Sequence, residues 1–189
     1  MIQIRFARLG RALIAAAAVS AMAGAQAGST VQISGPAGPL ALDDLFTLSV
    51  SGHDFVEVNG GGLNVTFTVG LLELLSVQVD PIWTFWSQPG TIDNGSGALS
   101  ELAFNAFGWK LGYFPIATLQ FQAKAPGVAV VSLAESVDWP FATPTWDTPI
   151  INYGNFTSTI AGQVPEPVSW LLLLGGLGWL GIRAVARQT

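Results

Sequence analysis

The chain has no cysteine, a single histidine and, away from its two ends, almost no positive charge. Without cysteine there is neither a disulfide nor thiol chemistry, so stability has to come from buried apolar surface. The lone His53 excludes a zinc site built on several imidazoles. It lies beside Asp54 with Glu57 close by, the material of a Ser-His-Asp arrangement, but no Gly-x-Ser-x-Gly elbow accompanies it. The expected place for His53 is a polar loop after a strand. Two lysines, Lys110 and Lys124, face eleven acids between Asp43 and Asp147, a net charge of about −9 for the body of the chain. That sign excludes nucleic acid and other anionic polymers as partners, because their binding needs Lys and Arg to neutralise the polymer charge.

The remaining five of the seven cations lie in the two terminal segments. Arg5, Arg8 and Arg11 precede an apolar stretch from Ala12 to Ala23, and Ala25-Gln26-Ala27 is a small-x-small site ahead of Gly28. This is the pattern of a secretory signal peptide over residues 1–27, cleaved between Ala27 and Gly28. At the other end, Val164-Pro165-Glu166-Pro167 is followed by fifteen uncharged residues from Val168 to Ile182. As a helix that run spans roughly 22 Å, and continuing it past a snorkelling Arg183 to Ala186 gives about 28 Å. The expected transmembrane helix therefore covers about 168–186, with Arg183 and Arg187 on the cytoplasmic side. Pro165 and Pro167 hold the preceding peptide extended and outside that helix. These features resemble the PEP-CTERM sorting signal over residues 163–189. The resemblance implies a bacterial exported protein, an exosortase-type processing enzyme as partner, an inner-membrane-anchored precursor, and a mature form at the cell surface or outside it, associated with exopolysaccharide, biofilm or floc material.

Between the ends, residues 28–162 suit one domain. Phe46, Leu48 and Val50 alternate with polar residues, as do Leu63, Val65, Phe67 and Val69, then Leu75, Val77 and Val79, then Leu119, Phe121 and Ala123; a β-branched run from Val128 to Leu133 follows Ala125-Pro126-Gly127. Each reads as a strand with one apolar face. Gly- and Asn-rich clusters, including Asn59-Gly60-Gly61-Gly62 and Asp93-Asn94-Gly95-Ser96-Gly97, read as turns. The expectation is an all-β single antiparallel β-sandwich of jelly-roll type, with about eight or nine short strands. The stretches DDLFTLSVSG, GGLNVTFTVGLLELLSVQVD and PIATLQFQAKAPGVAVVSLAES, in that order, resemble the cohesin domain and its carbohydrate-binding-module relatives over about Val31–Val137. Where that family often turns with Asp-Pro, this chain has Val69-Gly70-Leu71. The resemblance implies a protein- or carbohydrate-binding module rather than an enzyme.

The site candidates follow from residue type. Trp83 and Trp86 flank Phe85; Trp109 stands near Tyr113 and Phe114; Trp139 and Trp146 bracket a proline-rich stretch with Phe141. Rings of this kind beside amides suit stacking on sugar faces, so Trp83, Trp86, Trp109, Trp139 and Trp146 are the candidate ligand-binding aromatics, and some are expected instead to plug the ends of the core. Trp83 and Trp86 are too close together for every ring of the stretch to be buried on one sheet face, so at least one is expected to be exposed. The Asp93 loop has oxygen donors but no glutamate at the distal EF-hand spacing, and reads as a plain turn rather than a calcium site. Glu73 and Glu101 are the pair a glycosidase would need, without any indication that they meet. No cofactor, metal or catalytic residue is assigned; the expected partner is a polysaccharide or a surface protein.

Overall fold

The computed structural model describes residues 28–144 and 149–162. The leader, the tail from residue 163 on, with its sorting motif and flanking arginines, and Trp146 lie outside the described residues. Ten strands make up the described body: β1 (Ser29–Ser34), β2 (Leu40–Ala41), β3 (Leu45–Phe67), β4 (Leu72–Val79), β5 (Trp86–Gln88), β6 (Thr91–Asp93), β7 (Ala98–Ala123), β8 (Gly127–Glu135), β9 (Ile151–Tyr153) and β10 (Asn155–Ala161). There is no helix among the described residues.

Two strands are far from short. β3 runs for 23 residues and β7 for 26, antiparallel to each other, and each contributes one half to each of two layers. In the first layer, Leu45–Gly52 of β3 lies between β1 and the C-terminal half of β7, which carries β4 on its other side; β9 pairs with β1. In the second, Gly60–Phe67 of β3 lies between β8 and the N-terminal half of β7, which carries β5 and β6, while β8 carries β10 and then β2. Between the halves the β3–β7 register slips repeatedly from Gly52 to Gly60. Such irregularities bend a strand and let it pass from one layer to the next. The segments 53–59 and 106–113 thus form a two-stranded ribbon at one end of the sandwich.

The core forms where the inner faces meet. Phe46 on the first layer packs on Phe156 of β10 with ring centroids 6.2 Å apart, and Phe67 of the second meets Phe121 edge-on at 5.4 Å. Leu48, Val50, Leu63, Val65, Leu119, Val131 and Leu133 are buried as their alternation requires. Each such side chain contributes roughly 1.5–3 kcal/mol on leaving water.

Three local readings of the sequence are corrected. In β4 the inward residues are Leu72 and Leu74, and Leu75 is exposed; a bulge between Leu74 and Ser76 then turns Val77 and Val79 to the edge of the core. One inserted residue switches every later side chain to the other face. Val69 lies beyond the end of β3 and is exposed, next to the turn that Gly70 makes at φ 76°. Asn59–Gly62 is not a turn but strand, paired with β7 at Asn105, Phe104 and Ala103. Its glycines are there because the chain is crowded: a Cβ on Gly61 would come within 2.9 Å of the Phe141 ring, and one on Gly62 within 2.6 Å of the Trp139 Cβ.

Candidate binding surface at the ribbon end

The ribbon explains where the aromatic residues go. Along β7, Ala106, Gly108, Lys110 and Gly112 alternate with Phe107, Trp109, Leu111 and Tyr113. The pairing with β3 is irregular here, and Gly112 adopts φ 65°, yet every member of the second set is exposed. The inward side is already filled by Phe55, Val58, Ala106 and Phe114, with Phe55 stacked on Phe141 at 5.5 Å and tilted on Phe114 at 5.0 Å. The second set stays at the surface: Phe107 is 80% exposed, and Trp109, Leu111 and Tyr113 are exposed with it. Phe85 extends this stripe by an edge contact to Phe107 at 4.6 Å, and His53 closes its other end on the Tyr113 ring at 5.0 Å. Four alternate residues of one strand are thus exposed, large and apolar on an otherwise acidic body, an arrangement that marks an interaction surface.

The candidate tryptophans divide. Trp83 is corrected: it is 4% exposed, packed on Phe104 at 4.5 Å and edge-on to Phe114, with its indole N–H donating to the Pro115 carbonyl at 3.0 Å. It plugs the sandwich end and faces no ligand. Trp86 is exposed, as expected of at least one ring in that stretch, and so is Trp139; their rings meet at 4.9 Å, inclined by 41°. Trp109 stands on the stripe. Trp86 is held by pairing with Asn105, and Trp139 by its seat on Gly62. Beneath them is a cleft of about 170 Å³ lined by Gly60, Gly61, Phe104, Asn105, Asp138 and the two indoles, among others. Phe107 and Leu111 were not singled out from the sequence, although the alternation through Trp109 and Tyr113 carried the signal; Phe114, grouped with them, is buried.

The other candidates are not assembled into chemistry. His53 lies in β3 and not in a loop after it; its Nε2 sits 3.0 Å from the Ser51 hydroxyl, but no hydrogen bond joins it to Asp54 or Glu57. Glu73 pairs with Lys124 at 3.2 Å on the first layer, whereas Glu101 lies on the β7 half of the second. The Asp93 carboxylate accepts the Ser96 hydroxyl at 2.7 Å and the amides of Gly95 and Ser96, and these bonds hold its pKa below the ordinary value. Asn94 is tied to both backbone groups of Leu74. The loop spends its oxygens on itself, as a turn does. Among the described residues no three His, Cys, Asp or Glu side chains gather as metal ligands.

Likeness in architecture is clear. A non-cellulosomal cohesin from Archaeoglobus fulgidus superposes with a TM-score of 0.56 at 13% identity, covering 72% of this chain and 94% of the cohesin. The body is a cohesin-like β-sandwich. A cohesin module from a Clostridium perfringens family 33 glycoside hydrolase gives 0.54 at 9% identity, over 70% of this chain and 98% of the module. A type I cohesin solved in complex with dockerin, from Clostridium thermocellum, gives 0.53 at 10% identity, over 71% and 99%. No protein-family model and no curated protein matches the chain. At these identities the likeness concerns the fold, and the cohesin-like body carries its own surface.

Proposed function

We propose that the chain is an exported, non-enzymatic binding module whose cohesin-like body docks a protein partner through the stripe Phe107, Trp109, Leu111 and Tyr113. The observation that carries this reading is the exposure of four large apolar residues at alternate positions of β7, where exposed residues would ordinarily be polar. Apolar side chains with an aromatic majority are what protein interfaces use as anchors. The cohesin likeness supports a binding module better than a purely structural matrix component, since cohesin-like neighbours include one solved with a dockerin bound. The sorting signal read at Val164–Pro167 is part of the same proposal: it would deliver the body to the cell surface, with an exosortase-type enzyme acting on the tail.

The test is affinity capture from the native host's extracellular fraction with the intact chain, comparing wild type with Trp109→Asp and Leu111→Asp. A defined protein enriched by wild type and lost at least tenfold with both variants, at unchanged melting temperature, is the expected result. Equal capture by the variants overturns the assignment of the stripe.

A further inference from the structure

The cleft lined by Trp86 and Trp139 differs in kind from the stripe beside it. The stripe is a run of exposed apolar side chains, of which only Tyr113 borders a groove, whereas the cleft is lined by two tryptophans, Asn105, Asp138 and the backbone of two glycines. Gly60 and Gly61 form that floor: a Cβ on Gly60 would lie 2.7 Å from the Phe104 carbonyl oxygen and 2.9 Å from the Asn105 amide nitrogen, so no side chain fits there. Phe104, 1% exposed, backs it from the core. Asn105 and Asp138 line it, and the side chain of neither makes a hydrogen bond or ion pair with a described residue. Donors and acceptors are thus left available next to apolar ring faces.

We propose that this cleft is a subsite for one neutral or amino-substituted pyranose ring, a carbohydrate-binding function separate from the docking stripe. Three features select that ligand class. A sugar ring presents axial C–H bonds to an aromatic face and hydroxyls around its rim, which matches two indoles flanked by Asn105 and Asp138. The cleft is small, about 170 Å³, the scale of one ring. The Asp138 carboxylate at the wall, on a body with eleven acids and two lysines, repels uronates and sulfated sugars and favours neutral rings or hexosamines. Trp86 and Trp139 are positioned without help from ligand, by strand pairing to Asn105 and by the Gly62 contact, so the site is formed in advance.

The test is a titration of the intact chain with gluco-, manno-, galacto- and chito-oligosaccharides, and with oligogalacturonate as the anionic counterpart, followed by tryptophan fluorescence and calorimetry. At least one neutral or amino series should bind with a dissociation constant below about 1 mM, and oligogalacturonate should not. Trp86→Ala and Trp139→Ala should each weaken binding at least tenfold. Asn105→Ala, which removes no packed ring, should weaken it several-fold at an unchanged melting temperature, so that a folding defect cannot imitate the result. Absence of binding to every neutral and amino series, preference for oligogalacturonate, or full binding by the Trp86→Ala, Trp139→Ala double variant would each overturn the subsite. Leu111→Asp should leave sugar binding intact while abolishing protein capture, which separates failure of the subsite from failure of the docking stripe.

Discussion

Tyr153 shows how a single side chain ties stability to pH. Its ring packs against the core from β9, and its hydroxyl is buried with no hydrogen-bond partner among the described residues. Burial first, and the nearby Glu135 carboxylate second, push its pKa well above the ordinary tyrosine value. A raised folded-state pKa means that the folded chain holds the proton more tightly than the unfolded chain, whose tyrosine ionises near pH ~10. The contribution is therefore fully present below about pH 10 and is lost as pH rises beyond it. Tyr153→Phe removes both the orphan hydroxyl and the ionisation. At pH 7 its stability should lie within about 1 kcal/mol of wild type, since an unsatisfied buried hydroxyl contributes little or costs. In urea unfolding at pH 10.5 to 11 it should lose less stability than wild type does. Equal alkaline losses in the two proteins would contradict this account.

Among the elements, β3 and β7 decide the most, because their length and bends build both layers and the ribbon. The glycine run on β3 is the crowded point. A methyl group at Gly62 would meet the Trp139 Cβ at 2.6 Å, the Leu102 carbonyl oxygen at 3.1 Å and the Ser136 Cβ at 3.1 Å. Two of these neighbours belong to the segment that follows β8 and one to β7, so relief requires that segment to lift. Gly62→Ala is expected to destabilise by about 1–3 kcal/mol, the usual cost of overpacking, and to displace Trp139 from Trp86. Chemical denaturation measures the first effect, and a changed tryptophan emission in the native state the second. A variant as stable as wild type, with the same emission, would show that the strand accommodates a side chain there.

At the scale of the whole molecule the two ends of the sandwich are unlike. Gly162, the last described residue, packs beside Pro126 in the turn between β7 and β8. The ribbon stands at the other end of the same β7 half, separated by the Phe114–Ala123 stretch, roughly 30 Å at ~3.3 Å per residue. A chain held in a membrane through the segment after residue 163 would carry its aromatic end away from the bilayer, toward partners in the surroundings. If the tail is processed as proposed, Pro165→Ala with Pro167→Ala should allow helix where an extended peptide is needed. In the native host this double variant should accumulate as an uncleaved, membrane-retained form on fractionation and immunoblotting. Normal release of the variant would count against the sorting motif.

What the sequence determined by itself is the sandwich and most of its core. Period-two alternation at Phe46–Val50, Leu63–Phe67, Leu119–Ala123 and Val131–Leu133 commits one face of each strand to burial, and only a layered all-β body can bury them together. It also marked the tryptophans as candidates, of which Trp86, Trp109 and Trp139 are exposed at the ribbon end. Tertiary structure alone decided which aromatic is plug and which is surface. Trp83 and Trp86 are three positions apart and alike in type, but only Trp83 meets Phe104, Phe114 and the Pro115 carbonyl across the sandwich mouth. The same holds for Gly60–Gly62, which read locally as a turn. Their strand conformation comes from partners more than forty residues away, Asn105, Phe104 and Ala103 on one side and the Trp139 Cβ and Phe141 ring on the other. Local alternation reports what a strand buries, whereas the bulges that bend β3 and β7, and the pairings that set Trp86 beside Asn105 and Trp139 on Gly62, are settled only by long-range packing.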